Sequence, residues 1–196
     1  MADPRALRNK RLENEHKELM AINGEIIRIQ PLGMPPHDTY RVTFNVRTIV
    51  HPQPVYRDRT VCLLQLPPSY PEGTPKITAN DKPYPFHVNW FQSGTWCHGR
   101  WNREESLANF LHRCARTLQF DPGITNLGSP ANGEAKQFWL DNVGNKAVIP
   151  CDTQELPTLD LPETIIINPL KIQQIAIIPD KEHHVVFKNA NKITIF

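Results

Sequence analysis

The sequence predicts an α+β domain, and three observations carry that expectation. A charged segment with helical spacing opens the chain, four β-rich runs separated by turn residues follow, and a long apolar stripe at helical spacing comes next. Strands grouped between helices, without regular strand–helix alternation, favour an antiparallel sheet with helices segregated from it.

The first element is a helix over residues 4–21. Pro4 suits a first turn, Leu, Ala, Glu, Lys and Arg dominate, and Asn23-Gly24 stops it. Leu12, His16, Leu19 and Met20 share a face, and Arg5, Arg8, Lys10 and Arg11 cluster near its start. Strands are expected over Ile26–Ile29, Tyr40–Val46, Thr60–Leu66 and Lys76–Ala79, arranged as a four-stranded antiparallel meander. Residues 80–101 fit no period. They hold Pro83, Pro85, His87, three tryptophans and Cys97, a composition expected of a functional loop.

A second helix is expected from about 103 to 119, capped by Asn102, with Glu104 and Glu105 in its first turn. Leu107, Phe110, Leu111, Cys114, Ala115 and Leu118 form its core stripe, and Asp121-Pro122-Gly123 ends it. A third helix is expected over Pro130–Asn142. The domain therefore spans residues 1–144. Residues 145–163, with Pro150, Pro157 and Pro162, read as a linker. Residues 164–196 form a β-rich C-terminal extension of runs at 164–167, 172–178, 185–187 and 193–196, with 188–192 as a hairpin turn between the last two.

Composition narrows the function classes. Hydrophobic residues make up 39% and charged residues 21%, a globular balance. The net charge of +2, without a long basic stripe, gives no reason to expect nucleic acid as a partner. No apolar run approaches the roughly 20 residues of a membrane span, and the N-terminal residues lack the apolar stretch of a signal peptide. A cytoplasmic protein with reduced thiols is therefore expected. The four cysteines, Cys62, Cys97, Cys114 and Cys151, show no CxxC pair, which argues against a disulfide framework or a structural zinc knuckle.

Each thiol then stands on its own surroundings. Cys114 lies on a core stripe, Cys62 on a strand, and Cys151 in the expected linker, where it would be exposed. Cys97 sits in the aromatic loop beside His98, and an adjacent imidazole is able to favour a thiolate or take a proton. A buried structural cysteine is the alternative at each position.

The order of helix, meander, cysteine-bearing loop and helices resembles the ubiquitin-conjugating (UBC-like) family. Tyr70-Pro71-Glu72-Gly73-Thr74-Pro75 resembles that family's YPxxxP turn, and His87-Val88-Asn89 its HPN tripeptide with Val in place of Pro. Cys97 follows Asn89 by eight residues, the family spacing, and Trp101 and the Ser129–Ala135 segment also match. The resemblance covers roughly residues 5–142. The short stretch from Cys97 to Trp101 and the C-terminal extension depart from eukaryotic members and look like divergent bacterial operon-encoded types.

The resemblance implies a carrier that accepts an activated ubiquitin-like modifier as a Cys97 thioester and passes it to a target amine, without a cofactor. Asn89 matches the residue assigned to the oxyanion, with loop bracing as its alternative, and Asn126 falls near the family's gate position. Asp121, the nearest acid, reads instead as a turn residue. The implied partners are the modifier, an adenylating activating enzyme met by Arg5, Arg8, Lys10 and Arg11 of the first helix, and the target protein. Phage defence is the operon context implied by analogy. The extension would pair with its own domain or with a partner sheet, a second copy included. Two other classes stay open: a non-catalytic interaction module of this fold, and a cysteine hydrolase or zinc site using His87, Cys97 and His98, with His112 and His183-His184 as further compositional candidates.

Overall fold

The computed structural model describes residues 3–158 and the strands Val185–Phe187 and Ile193–Ile195. It is α+β, with three α-helices and antiparallel sheets among the described residues. Helix α1 (Pro4–Ala21) starts where expected, because the Asp3 carboxylate accepts from Arg5 N and Pro4 occupies the first turn. Strands β1 (Ile27–Leu32), β2 (Thr39–Phe44), β5 (Thr60–Gln65) and β6 (Lys76–Ala79) form one sheet in the order β1-β2-β5-β6, each neighbour antiparallel.

These are the four expected strands, in meander order, with one difference. A separate hairpin, β3 (Thr48–His51) with β4 (Val55–Arg57), interrupts the meander between β2 and β5. β1 also runs on past its expected end, through Pro31, which pairs with Tyr40. Proline is tolerated there because β1 is an edge strand.

The sheet buries one face. Ile27 and Ile29 alternate with exposed Arg28 and Gln30, and on β5 the buried Thr60, Cys62 and Leu64 alternate with less buried neighbours. Leu12 and Leu19 of α1 and the whole stripe of α2 (Leu107–Leu118) are buried too. Glu15 is buried among them at 2% exposure. Its carboxylate accepts from Tyr70 Oη at 2.6 Å and Leu107 N at 2.7 Å and pairs with Arg11. One side chain thus joins α1, the turn after β5 and the start of α2.

That bond explains why α2 begins later than expected. Asn102 Oδ1 accepts from Glu104 N, an Asx turn, while Ser106 is the cap, its Oγ accepting from Asn109 N. Helix α3 (Gly133–Asn142) also starts late: Asn132 caps it through Ala135 N, and Ala131 N is spent on the Val88 carbonyl.

Residues 145–158 correct the expectation of a linker. Ile149 is 1% exposed and joins a second core with Ile49, Phe86, Val88, Phe120, Phe138 and Trp139. Cys151 N donates to the Gln119 carbonyl, Arg47 N donates to Asp152, and Gln119 Nε2 donates to the Gln154 carbonyl. These bonds tie the segment to the domain, and the first compact unit extends to Thr158. Cys151 is accordingly half-buried, its Sγ set 3.1 Å from the Arg47 carbonyl, and not the exposed thiol expected.

The second unit is described by its two strands alone. β7 (Val185–Phe187) and β8 (Ile193–Ile195) pair antiparallel with Val185 opposite Ile195, the pairing expected of a hairpin. The runs expected at 164–167 and 172–178, and the turn at 188–192, lie outside the described residues.

Candidate functional site

The site is built on the loop between β6 and α2. Thr95 bridges Thr78 of β6, Trp96 bridges Trp90, and Ala79 N donates to the Gly94 carbonyl. The loop thereby adds an irregular ribbon to the β6 edge. Gly94 is required for this: its φ is +85°, and a Cβ there would lie 2.8 Å from the Tyr84 ring. The ribbon ends at Cys97, whose N–H donates to the Asn89 carbonyl at 2.7 Å.

The tripeptide His87-Val88-Asn89 anchors the other side. His87 is fully buried, its ring edge-on to Phe120 at 4.5 Å, and Nδ1 accepts from Asn89 N at 2.9 Å. Burial pushes its imidazole down to about 3, so the ring is neutral at pH 7 and carries its proton on Nε2. The Val88 carbonyl holds Ala131 N, fixing the approach to α3. Asn89 Oδ1 accepts from Asn126 N at 3.1 Å, and its Nδ2 lies 3.4 Å from the Ile124 carbonyl. Asn89 therefore braces the 124–126 loop, the alternative weighed from sequence, and it does so at the wall of the cleft that holds Cys97.

That cleft has a volume of about 120 Å³ and is lined by Asn89, Cys97, His98, Arg113, Asn126 and Ser129, with Trp96, Gly99 and Ile124. Asn89, His98 and Asn126, the three residues singled out beside the nucleophile, thus line the cleft with Cys97. Asn126 lines the cleft with its Oδ1 already accepting from Gly128 N and Ser129 N, which makes it a turn former as well as a wall. His98 lines it with a ring packed on Trp96 and Phe110, centroids 5.7 and 5.1 Å apart. Burial first, and the Arg113 guanidinium second, hold its imidazole below the ordinary range, against the opposing pull of Glu105. A neutral ring on aromatic neighbours is poorly suited to pairing with a thiolate. Asp121 caps the short 3₁₀ turn Pro122–Ile124 and pairs with Arg116 at 2.7 Å, as its reading as a turn residue requires.

The other cysteines differ from Cys97. Cys62 and Cys114 are fully buried, and burial pushes both thiols well up. Burial also pushes the Cys151 thiol up to about 12. Cys97 alone of the four opens onto the cleft lined by Asn89 and Asn126. Among the described residues, no three His, Cys, Asp or Glu side chains converge to hold a metal ion; His183 and His184 lie outside them.

The basic residues of α1 separate into two pairs. Arg8 bonds Asp38 and the Pro67 carbonyl, and Arg11 pairs with Glu15 and donates to the Glu105 carbonyl. Arg5 and Lys10 are exposed. Sequence reasoning missed Glu15 and Arg113. A lone Glu on the apolar side of α1, one turn from Arg11, was the available signal for the first.

The structure thus defines an α+β protein with a cysteine-bearing cleft walled by amide side chains. No family model matches the chain, and no curated protein matches its sequence.

Proposed function

We propose that the chain is a ubiquitin-conjugating-like transferase of UBC-like fold, with Cys97 as its thioester carrier. The observation that carries this reading is the cleft itself: Cys97, alone of the four thiols, lines with Asn89 and Asn126 a space of about 120 Å³, while Cys62 and Cys114 are buried. The element order and two interlocked motifs support it. Trp101 Nε1 donates to the Pro71 carbonyl at 2.8 Å and its ring lies 6.0 Å from that of Tyr70, so the Tyr-Pro turn and the Trp before α2 form one unit.

In loading, the Cys97 thiolate attacks the thioester carbonyl of the modifier held by its activating enzyme. The new C–S bond forms through a tetrahedral oxyanion, and the activator's thiolate leaves. In discharge, a target amine attacks the Cys97 thioester, the C–N bond forms, the nitrogen gives up a proton and the Cys97 thiolate is released. An amide N–H from Asn89 would stabilise the oxyanion in either step. The partners are a ubiquitin-like modifier, an adenylating activating enzyme and a target protein. The setting is a bacterial modification operon, by analogy an anti-phage one, in the cytoplasm, where a free thiol stays reduced. Among the described residues no helix is long and apolar enough to cross a membrane.

The test is a non-reducing gel after incubation with ATP and with the activator and ubiquitin-like protein encoded beside the chain. A thiol-sensitive adduct is expected with the parent and absent with Cys97→Ala. An adduct that survives Cys97→Ala and is lost with Cys62→Ala, Cys114→Ala or Cys151→Ala would overturn the reading.

A further inference from the structure

Arg113 projects from the middle of α2 into the Cys97 cleft. A guanidinium has five N–H donors in a fixed fork. Two of the Arg113 nitrogens face one carboxylate: Nε donates to Glu105 Oε1 at 2.7 Å and Nη2 to Oε2 at 2.8 Å. Nη1 donates to the carbonyl of His98, the residue after Cys97, at 2.9 Å. The same cation stands 5.6 Å from the ring centre of Trp96, the residue before Cys97, and 5.6 Å from that of Phe110. One side chain therefore grips both neighbours of the nucleophile.

Its own support is fixed in turn. Glu105 is only 15% exposed, and its carbonyl accepts from Arg11 Nη2 at 2.9 Å, while Arg11 pairs with buried Glu15. Pinning the segment before α2 onto the helix needs only the Glu105 fork. The third bond, to the His98 carbonyl, and the stacking over Trp96 add nothing to that task. Both bear on the loop that carries Cys97.

We propose that Arg113 is a positioning residue, setting the backbone on either side of Cys97 so that its sulfur meets the incoming thioester carbonyl. This rests on the carrier reading of Cys97. Lysine at this position keeps the charge but not the fork, so it cannot hold Glu105 and the His98 carbonyl together.

The test compares the parent with Arg113→Lys, Arg113→Gln and Glu105→Gln. Loading from the charged activator is measured as a maximal rate and a half-saturating concentration, both per folded molecule, beside thermal melts. Alkylation of Cys97 by iodoacetamide is followed across pH in the same proteins, with Cys97→Ala as the blank. The expected result is a maximal rate lower by about 100-fold in both Arg113 variants, the cost of a misplaced reacting atom. Half-saturation should be unchanged, the Lys variant should melt close to the parent, and the pH profile of alkylation should be displaced. Parental maximal rates in Arg113→Lys and Arg113→Gln would overturn the proposal. So would a loss that follows the folded fraction alone with an unchanged alkylation profile. A parent that does not load at all would sink the carrier reading instead; the alkylation profiles would then still decide whether Arg113 sets the thiol.

Discussion

At the residue scale, Asn89 and His87 show how buried polar groups divide bracing from chemistry. Asn89 offers its oxygen to Asn126 N and one amide N–H to the Ile124 carbonyl, which leaves a single N–H to serve an oxyanion. Asn89→Asp keeps the acceptor for Asn126 N but loses the bond to the Ile124 carbonyl together with the oxyanion donor, whereas Asn89→Ala removes all three. On the carrier reading, Asn89→Asp should discharge to amines about 100- to 1000-fold more slowly per folded molecule, with melts alongside to fix the folded fraction; parental discharge would leave Asn89 a brace only. His87 makes a pH prediction. Its folded pKa, about 3, lies below the ordinary 6.5, because burial penalises the cation. Below pH 6.5 the unfolded chain binds a proton that the folded one refuses. Stability from this group is thus full above pH 6.5 and falls as pH drops toward 3, by at most about 1.4 kcal/mol per pH unit. Urea midpoints at several acid pH values should fall less steeply in His87→Gln, and equal slopes would place the acid sensitivity elsewhere. The His-Val-Asn run and Cys97 were legible in the sequence because local spacing marks them. Arg113 was not, because its meaning lies in bonds to residues 98 and 105 that only the packing of α2 creates.

At the element scale, α1 was legible from end to end, since its first-turn proline, its helix-forming composition and its Asn23-Gly24 stop are local signals. Its basic cluster divides in the structure, with Arg8 and Arg11 bonded to groups of the same chain, and spacing along a helix does not reveal which cations find such partners. Arg11 faces Glu15, which is 2% exposed, so Arg11→Glu leaves a buried carboxylate opposed by another. We expect a loss near the lower end of about 3–5 kcal/mol, as Arg11 retains some solvent. Arg5→Glu and Lys10→Glu should leave stability within about 0.5 kcal/mol. On the carrier reading, that exposed pair should slow loading at low salt and lose the effect at high salt. Denaturation curves and loading rates for the two sets separate these roles; equal destabilisation by both sets would show that the Arg11–Glu15 pair contributes little. The β3–β4 hairpin was missed for a related reason. Its strands are four and three residues long, and Pro52 and Pro54 between them masked a continuous β pattern.

At the scale of the whole molecule, the boundary of the first unit was the least legible feature. Proline-rich texture reads as linker, yet residues 145–158 bring Ile149 into a core and cover the Gln119 carbonyl. Composition registers how stiff a segment is, and not whether its few apolar side chains find a cavity. A chain ending at Asn145 loses Ile149, the packing of Val148 and the Asp152 bond to Arg47 N, and should be destabilised by about 2–5 kcal/mol. A chain ending at Thr158 keeps them all and should melt as the full chain does. The rest of the sequence holds nine isoleucines, Ile165, Ile166, Ile167, Ile172, Ile175, Ile177, Ile178, Ile193 and Ile195. Its described strands, β7 and β8, are three residues each, and a two-stranded hairpin is marginal alone in water. So much β-branched apolar surface calls for a cover, and strand addition to a second copy supplies one. The full chain should therefore run above monomer mass in light scattering, and the chain ending at Thr158 at monomer mass with Cys97 still open to alkylation. Monomer mass for both would exclude the second copy as the cover, and an insoluble chain ending at Thr158 would make the extension part of the first unit's own core.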